Sequence, residues 1–318
     1  MNNLKLKSTI QTTWNEYSVT LVFAALILIS GLLTPSFFST NNFMAIFRNS
    51  AAIGVIGLGM TFVIIAGGID LSVGANFAAC GVIMILMQGS LGLPLPLAIL
   101  VTCISGATIG FINGFIISKA KLPPFIVTLA MQVLLRSIVM YLTKGATMRG
   151  VRDPAFTSIG NGSVFGGLPT PFFIFLVIAL IMHIILSKTK LGTYVYAVGG
   201  NEIAARYTGI KVDAVKIATY VLIGLMAAFA SIMEVSRMAS VSPTVSGVQY
   251  ELEAVISAIV GGTSFSGGKG KILGTILGAI MLFIISNMLI HLNISTYLSG
   301  AVKGTVILVA VLLQKRQD

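Results

Sequence analysis

The sequence predicts an all-α protein of about ten membrane-spanning helices, and three observations predict it. Of 318 residues, 56% are hydrophobic and 9% are charged, against roughly one quarter charged in an average soluble domain. The chain divides into ten apolar stretches close to the length of about 20 residues that a helix needs to cross hydrocarbon. All nine prolines fall between those stretches or at their first positions, where a missing N–H costs least.

In chain order the stretches cover 16–33, 48–67, 71–88, 95–118, 123–142, 170–187, 214–235, 248–262, 272–292 and 296–313. No small-residue cleavage site of the usual form follows the first, which reads as a retained helix rather than a signal peptide. The second, fourth and ninth carry glycines (Gly54, Gly57 and Gly59; Gly106, Gly110 and Gly114; Gly274 and Gly278), which let membrane helices approach closely. Gly106-x-x-x-Gly110-x-x-x-Gly114 serves either packing within the chain or a contact with a second copy. The eighth stretch is the shortest. The longest connections, 143–169 and 188–213, are too short to fold alone, so residues 1–318 read as one transmembrane domain with no soluble domain. Cys80 and Cys103 lie inside predicted spans without metal-type spacing and read as small core residues.

The net charge of +11 invites a nucleic-acid reading, but the basic residues sit at the ends of apolar runs. Threading the chain from a cytoplasmic N-terminus puts Lys5, Lys7, Lys119, Lys121, Lys188, Lys190, Arg206, Lys211, Lys216, Lys269, Lys271, Lys315 and Arg316 inside. Only Lys144, Arg149, Arg152 and Arg237 fall outside. Thirteen against four satisfies the positive-inside rule, so both termini and the 188–213 connection are expected in the cytoplasm. The bilayer, not nucleic acid, is the basic chain's partner.

Two interruptions share the pattern Gly-Gly-x-x-apolar-Ser-x-Gly: Gly67 to Gly74, which contains Asp70, and Gly261 to Gly268. Helix breaks at membrane depth are tolerated only against protein or a water-filled cavity. The match is either an echo of duplication or a coincidence in a glycine-rich chain, and both breaks face the cytoplasm in this threading. The 188–213 connection centres on Gly199-Gly200-Asn201-Glu202-Ile203-Ala204-Ala205-Arg206-Tyr207-Thr208-Gly209-Ile210. Asn201 suits a helix N-cap, Glu202 the positive end of the helix dipole, and Gly209 a left-handed stop. About two turns of helix result, too short to be stable without packing against something.

Catalytic constellations are absent from the sequence. Gly262 to Gly267 has the glycine spacing of a phosphate loop, but Gly268 stands where lysine is required and Gly270 follows Lys269, so ATP is not bound that way. His183 and His291 lie far apart without a partner motif, which disfavours catalysis or zinc. No catalytic or metal-binding residue is assigned. Polar residues within spans carry more information, because charge there is costly. Arg136, Glu234, Arg237, Glu251, Glu253 and Lys303 fall in the outer third of the threading, either as structural ion pairs or as an outward vestibule for a polar solute. Asn76, Asn113, Gln132 and Asn287 lie deeper, and either continue a path for a neutral, hydroxyl-rich solute or bond helix to helix. Asp70 in the first break joins these candidates.

Four segments in order then carry a resemblance: Gly-Gly-Ile-Asp-Leu-Ser-Val-Gly-Ala at 67–75; Ala-Val-Gly-Gly-Asn-Glu-Ile-Ala-Ala-Arg at 197–206 with Thr-Gly-Ile at 208–210; Ser-Pro-Thr at 242–244 with Tyr-Glu-Leu at 250–252; and Gly-Gly-Thr-Ser-Phe-Ser-Gly-Gly-Lys-Gly at 261–270. From about residue 16 to 313 the chain resembles the permease subunit of bacterial sugar ABC importers of the ribose-transport type. The resemblance implies an inner-membrane translocation subunit that moves a monosaccharide without doing chemistry on it. It implies a second copy or a paralogue, a separate ATPase subunit with two nucleotide-binding halves that holds ATP and magnesium, and a periplasmic sugar-binding protein. The chain itself would hold no cofactor. The importers' Glu-Ala-Ala-x-x-x-Gly docking loop maps onto Glu202, Ala204, Ala205 and Gly209, with Gly199, Gly200, Asn201 and Arg206 around them. Ile203 takes the glutamate's usual place, with Glu202 one residue earlier. Ribose, xylose, a galactose-type sugar and autoinducer-2 all remain open as cargo. An ion-coupled secondary transporter is the rival class, and would need a coupling charge near the bilayer midplane.

Overall fold

The computed structural model describes residues 19–34, 36–150, 153–295, 298, 300–302, 304 and 305. Lys303, most of the tenth apolar stretch and the basic residues at both termini lie outside the described residues. The described chain is all-α apart from four two-residue strands. Among the described residues, seven helices are long and apolar enough to cross a membrane: α2 (Thr40–Ile65), α3 (Val73–Ile85, prolonged by one π turn to Ser90), α4 (Leu95–Lys119), α5 (Pro124–Thr143), α7 (Thr170–Lys188), α10 (Val212–Met238) and α12 (Ile272–His291). Shorter helices are α1 (Val19–Leu33), α6 (Pro154–Asn161), α8 (Lys190–Gly200), α9 (Glu202–Tyr207) and α11 (Tyr250–Val260). β1 (Met148–Arg149) pairs antiparallel with β4 (Ser240–Val241), and β2 (Ser163–Val164) with β3 (Leu168–Pro169).

The core surrounds α2 and α10. In α2, 89% of the most apolar segment is buried, against 22% in each of α4 and α5, so α2 is enclosed by other helices while α4 and α5 present broad apolar faces outward. α2 also begins eight residues before the apolar stretch. Ser39 accepts a hydrogen bond from the Asn42 amide, and Asn42 Nδ2 donates to the Phe37 carbonyl oxygen at 3.0 Å. The polar first turn thus finds partners within the chain, and hydropathy alone does not see it.

Glycines set the closest approaches. A Cβ at Gly110 would fall on the Tyr220 carbonyl oxygen, and one at Gly106 would come within 2.6 Å of the Gly224 carbonyl oxygen. The Gly106–Gly110–Gly114 stripe is therefore used within the chain, seating α4 on α10. The eighth apolar stretch is an 11-residue helix, α11, about 16 Å long and half of what hydrocarbon requires. Its start is delayed by Gln249 at φ +67°, and its end is set by Gly262 at φ +87°. Such a half-helix is tolerated because it packs inside the bundle: Ala254 through Ile259 are buried. It lies unusually close to α12, since a Cβ at Gly278 would collide with the Ser257 carbonyl oxygen and one at Gly274 with that of Gly261.

Candidate functional site

The 188–213 connection folds as two helices around a one-residue corner. α8 starts on Thr189, whose side chain accepts from the Gly192 amide, and runs to Gly200. Asn201 is extended (φ −161°, ψ 102°), and its Oδ1 accepts from the Ala204 amide at 2.9 Å, capping α9. α9 stops where Gly209 adopts φ +84° and the Ile210 amide reaches back to the Ala205 carbonyl at 3.2 Å. That is the left-handed ending expected of a glycine. Ala205 is 4% exposed and turns inward, while Ile203 (70%) and Tyr207 (89%), one turn apart, form an apolar outward face with Ala204 exposed between them.

Charges hold α9 in place. Glu202 accepts from Lys216 Nζ at 2.6 Å and from Arg206 Nη2 at 3.2 Å; Arg206 also reaches Asp213 at 3.4 Å, and Asp213 meets Lys119 at 3.2 Å. The Lys216 hydrogen bond, aided by Arg206 and opposed by partial burial, holds the Glu202 carboxyl below the usual carboxylate range. The chain of pairs links α9 to α4 and α10, but its members are partly exposed, and each such pair is worth only about 0–1 kcal/mol. Beside α9 a cavity of about 700 Å³ opens between Leu191 and Tyr194 of α8, the 208–211 turn, and Ala214 and Val215 of α10.

The end of α2, just before the first break, meets the second break at the far end of α8. The Gly268 amide donates to the Ile65 carbonyl oxygen at 2.9 Å. Gly199 sits on the same pair, so close that a Cβ there would overlap the Ile65 oxygen. Tyr196 OH donates to the Gly270 carbonyl oxygen at 2.7 Å. The two breaks share one side of the bundle, the side that carries α9. Sequence reasoning missed α8 as a helix and missed Tyr196, Lys216 and Asp213. Thr189 three residues before Gly192 was the available signal for the helix start.

At the other polar centre, the segment between β4 and α11 turns back into the bundle. Arg136 on α5 donates from Nη1 to the carbonyl oxygens of Pro243 and Ser246, both at 2.8 Å, and from Nη2 toward Gly74 at 3.5 Å. Gly74 and Gly247 face each other so closely that a Cβ on either would meet the other's carbonyl oxygen, and Glu251 Oε2 lies beside Gly74, buried and without a hydrogen-bond partner. Tyr250 OH donates to both Glu234 oxygens at 2.9 and 2.7 Å, and its ring meets Phe77 edge-on. Ser231 Oγ donates to the Phe77 carbonyl oxygen, which places this centre about two turns inside the β4 end of α10. Arg237 bonds to Asn49 Oδ1 at 2.6 Å.

Arg136 and Glu251 thus meet beside Gly74, and Glu234 bonds to the neighbouring Tyr250; Glu253 lies one turn from Tyr250 on α11, half-buried, and Gln132 is half-buried one turn before Arg136 on α5. Asp70 is in a separate network. Its Oδ1 accepts from the Ser72 amide (2.8 Å) and Ser72 Oγ (2.6 Å), and Asn113 Nδ2 donates to Ser72 Oγ at 2.8 Å. Asn76 bonds to the Gly106 carbonyl oxygen at 3.3 Å. Asn287 stands apart, donating to Asn42 Oδ1 at 2.8 Å. Lys303 is outside the described residues.

Residues 42–311 match the family described as the branched-chain amino acid transport system / permease component. The chain is 42% identical over 290 residues to the ribose import permease protein RbsC of Haemophilus influenzae, covering 90% of this chain and 89% of that one. It is 42% identical over 294 residues to RbsC of Bacillus subtilis, covering 92% and 90%. The D-allose transport system permease protein AlsC of Escherichia coli is 33% identical over 303 residues, covering 95% and 92%.

Proposed function

The chain belongs to the family of branched-chain amino acid transport system permease components, and on that footing we propose that it is the translocation subunit of an ATP-driven ribose importer. It is a multi-pass protein of the bacterial inner membrane and a transport component rather than an enzyme. The observation that carries ribose as cargo is the 42% identity to two ribose import permeases over nine-tenths of each chain. In this reading the chain crosses the membrane about ten times as a single domain, with both termini and α9 in the cytoplasm. The apolar face of Ile203 and Tyr207 and the cavity beside α9 then offer a seat to an ATPase subunit with two nucleotide-binding halves, which holds the ATP and magnesium; the permease itself holds no cofactor. A periplasmic sugar-binding protein delivers cargo, and a second copy or a paralogue completes the pathway across the uncovered faces of α4 and α5.

Within this reading, Arg136, Glu234, Glu251 and Tyr250 present donors and acceptors suited to a hydroxyl-rich solute, and Glu251 Oε2 is an acceptor without a partner. Asp70, Asn76 and Asn113 follow along α3 and α4, with Gln132 and Glu253 at the rim. The test is uptake of labelled ribose, D-allose, xylose and autoinducer-2 into liposomes holding the permease with its ATPase. ATP is enclosed or omitted, and a loaded binding protein or an ion gradient is supplied outside. ATP-dependent ribose uptake requiring the binding protein is the expected result. Uptake on an ion gradient by the permease alone overturns the reading, and preference for another cargo replaces ribose.

A further inference from the structure

Besides the short 208–211 turn that joins it covalently to α10, the docking helix has two connections to the rest of the chain, and they differ in kind. One runs through side-chain ion pairs to α10, Glu202–Lys216 and Arg206–Asp213. Those side chains are between 23% and 54% exposed, and long exposed side chains accommodate a shift of an ångström or two by changing rotamer. The other runs through backbone. Only Asn201 separates α9 from α8, and its amide donates to the Ala197 carbonyl oxygen at 3.1 Å while its side chain caps α9. A displacement of α9 therefore carries the end of α8 with it.

The end of α8 is in turn fixed to the turn between α11 and α12. Tyr196 OH bonds to the Gly270 carbonyl oxygen, and Gly199 is wedged against the Ile65 oxygen and the Gly268 amide that donates to it. On the far side of that turn, α11 and α12 touch backbone to backbone at Gly261, Gly274 and Gly278, so the pair moves as one body. Gly262, Gly267 and Gly268 at φ +87°, +85° and +69° lie between the α11 end and the contact, in a conformation that glycine adopts without cost. The opposite end of α11 carries Tyr250 and Glu251.

We propose that Tyr196 and Gly199 form a strut that transmits displacement of α9 into the α11–α12 body, and that Tyr196 is thereby a positioning residue for transport, acting on the Tyr250–Glu251 centre without touching cargo. This rests on α9 being the surface on which the ATPase docks. Such coupling requires the glycine turn to take two discrete arrangements, biased by nucleotide at one end and by cargo at the other.

The experiment uses the full complex of permease, ATPase and binding protein in liposomes and measures sugar moved per ATP hydrolysed. Tyr196→Phe removes one hydroxyl, Gly199→Ala wedges the contact apart, and Lys216→Met with Asp213→Asn removes the charge pairs that α9 makes with α10. Tyr196→Phe is expected to retain the co-purifying ATPase and to lower sugar moved per ATP by about threefold to tenfold, the scale of one lost hydrogen bond. Gly199→Ala is expected to act in the same direction, and Lys216→Met with Asp213→Asn to change the ratio less than about twofold, since partly exposed ion pairs contribute little. A purely structural Tyr196 lowers the amount of complex but not the ratio. An unchanged ratio in Tyr196→Phe overturns the strut, and uncoupling in Lys216→Met with Asp213→Asn then favours the α10 route. Failure of the ATPase to co-purify with the wild-type chain instead removes the docking reading itself.

Discussion

The two glycine-rich breaks read alike in sequence and are built differently. In the first, α2 ends with Gly67 at φ +80° and the Gly68 amide reaching back to the Val63 carbonyl; in the second, α11 ends with Gly262 at φ +87° and the Thr263 amide reaching back to Ala258. Both are left-handed glycine endings, yet the left-handed residue is the first glycine of one pair and the second glycine of the other. The matching pattern is therefore one residue out of structural register. It is a shared solution to ending a helix, and the alignment it suggests is misleading.

Beyond the endings, the two joints diverge further. The first break is closed by buried side chains: Asp70 on Ser72, Asn113 on Ser72, and Tyr220 OH on the Ile69 carbonyl at 3.0 Å. α3 restarts six residues after Gly67. The second break has backbone bonds, with Ser264 accepting from Gly267 and donating to Lys269 through its amide and Gly268 on Ile65, and takes a side-chain bond from Tyr196 OH on Gly270, while Phe265 stands 57% exposed. α12 restarts ten residues after Gly262. Buried side chains bonded to one another close one joint, and the other is a longer turn with left-handed glycines at 262, 267 and 268.

Substitutions at the two joints should therefore behave differently. The largest effect is expected at Gly261, where a Cβ would meet the Gly274 carbonyl group and force α11 from α12. Gly261→Ala should destabilise by about 3 kcal/mol, the upper range for overpacking, whereas Gly68→Ala, which meets the tip of Tyr220, should cost about 1 kcal/mol. Thermal melts of the detergent-solubilised chain compare the two, and equal costs would erase the contrast. Next comes Asp70→Ala, which leaves the Ser72 amide and hydroxyl without their acceptor and should cost about 2 kcal/mol. Asp70→Asn, retaining an acceptor, should recover most of it. Smallest is Tyr220→Phe, at about 1 kcal/mol for one hydrogen bond, read as faster hydrogen exchange at 67–72 with no change at 261–271.

Much of the fold was legible because bilayer chemistry writes itself into composition. Apolar runs between prolines located the seven long helices to within a few residues, except where polar groups find partners, as Asn42 does at the start of α2. The short α9 was legible in Asn201, Glu202 and Gly209, since caps and left-handed endings depend on neighbours in sequence. The helix of the eighth stretch was less so, because an apolar run that is part irregular chain and part half-helix inside a bundle looks the same as one long helix. The meeting of Gly199, Ile65 and Gly268 was also hidden: glycine signals closeness but not to what. The outer charges were picked out by their cost in a membrane, but their partners were not foreseen. Arg136 bonds to backbone carbonyls, and Glu234 to a tyrosine.

The proposed mechanism stands or falls on α9 as the place where an ATPase subunit engages this chain. With Cys80 and Cys103 replaced, a single cysteine at Ala204→Cys, exposed on α9, and another at Phe165→Cys, in a residue 84% exposed at the opposite end of the bundle, test it by cross-linking in native membranes. Docking on α9 should give a cross-linked product containing the ATPase from position 204 and none from position 165. An ATPase that co-purifies with the chain yet cross-links from neither position, or only from 165, would contradict it.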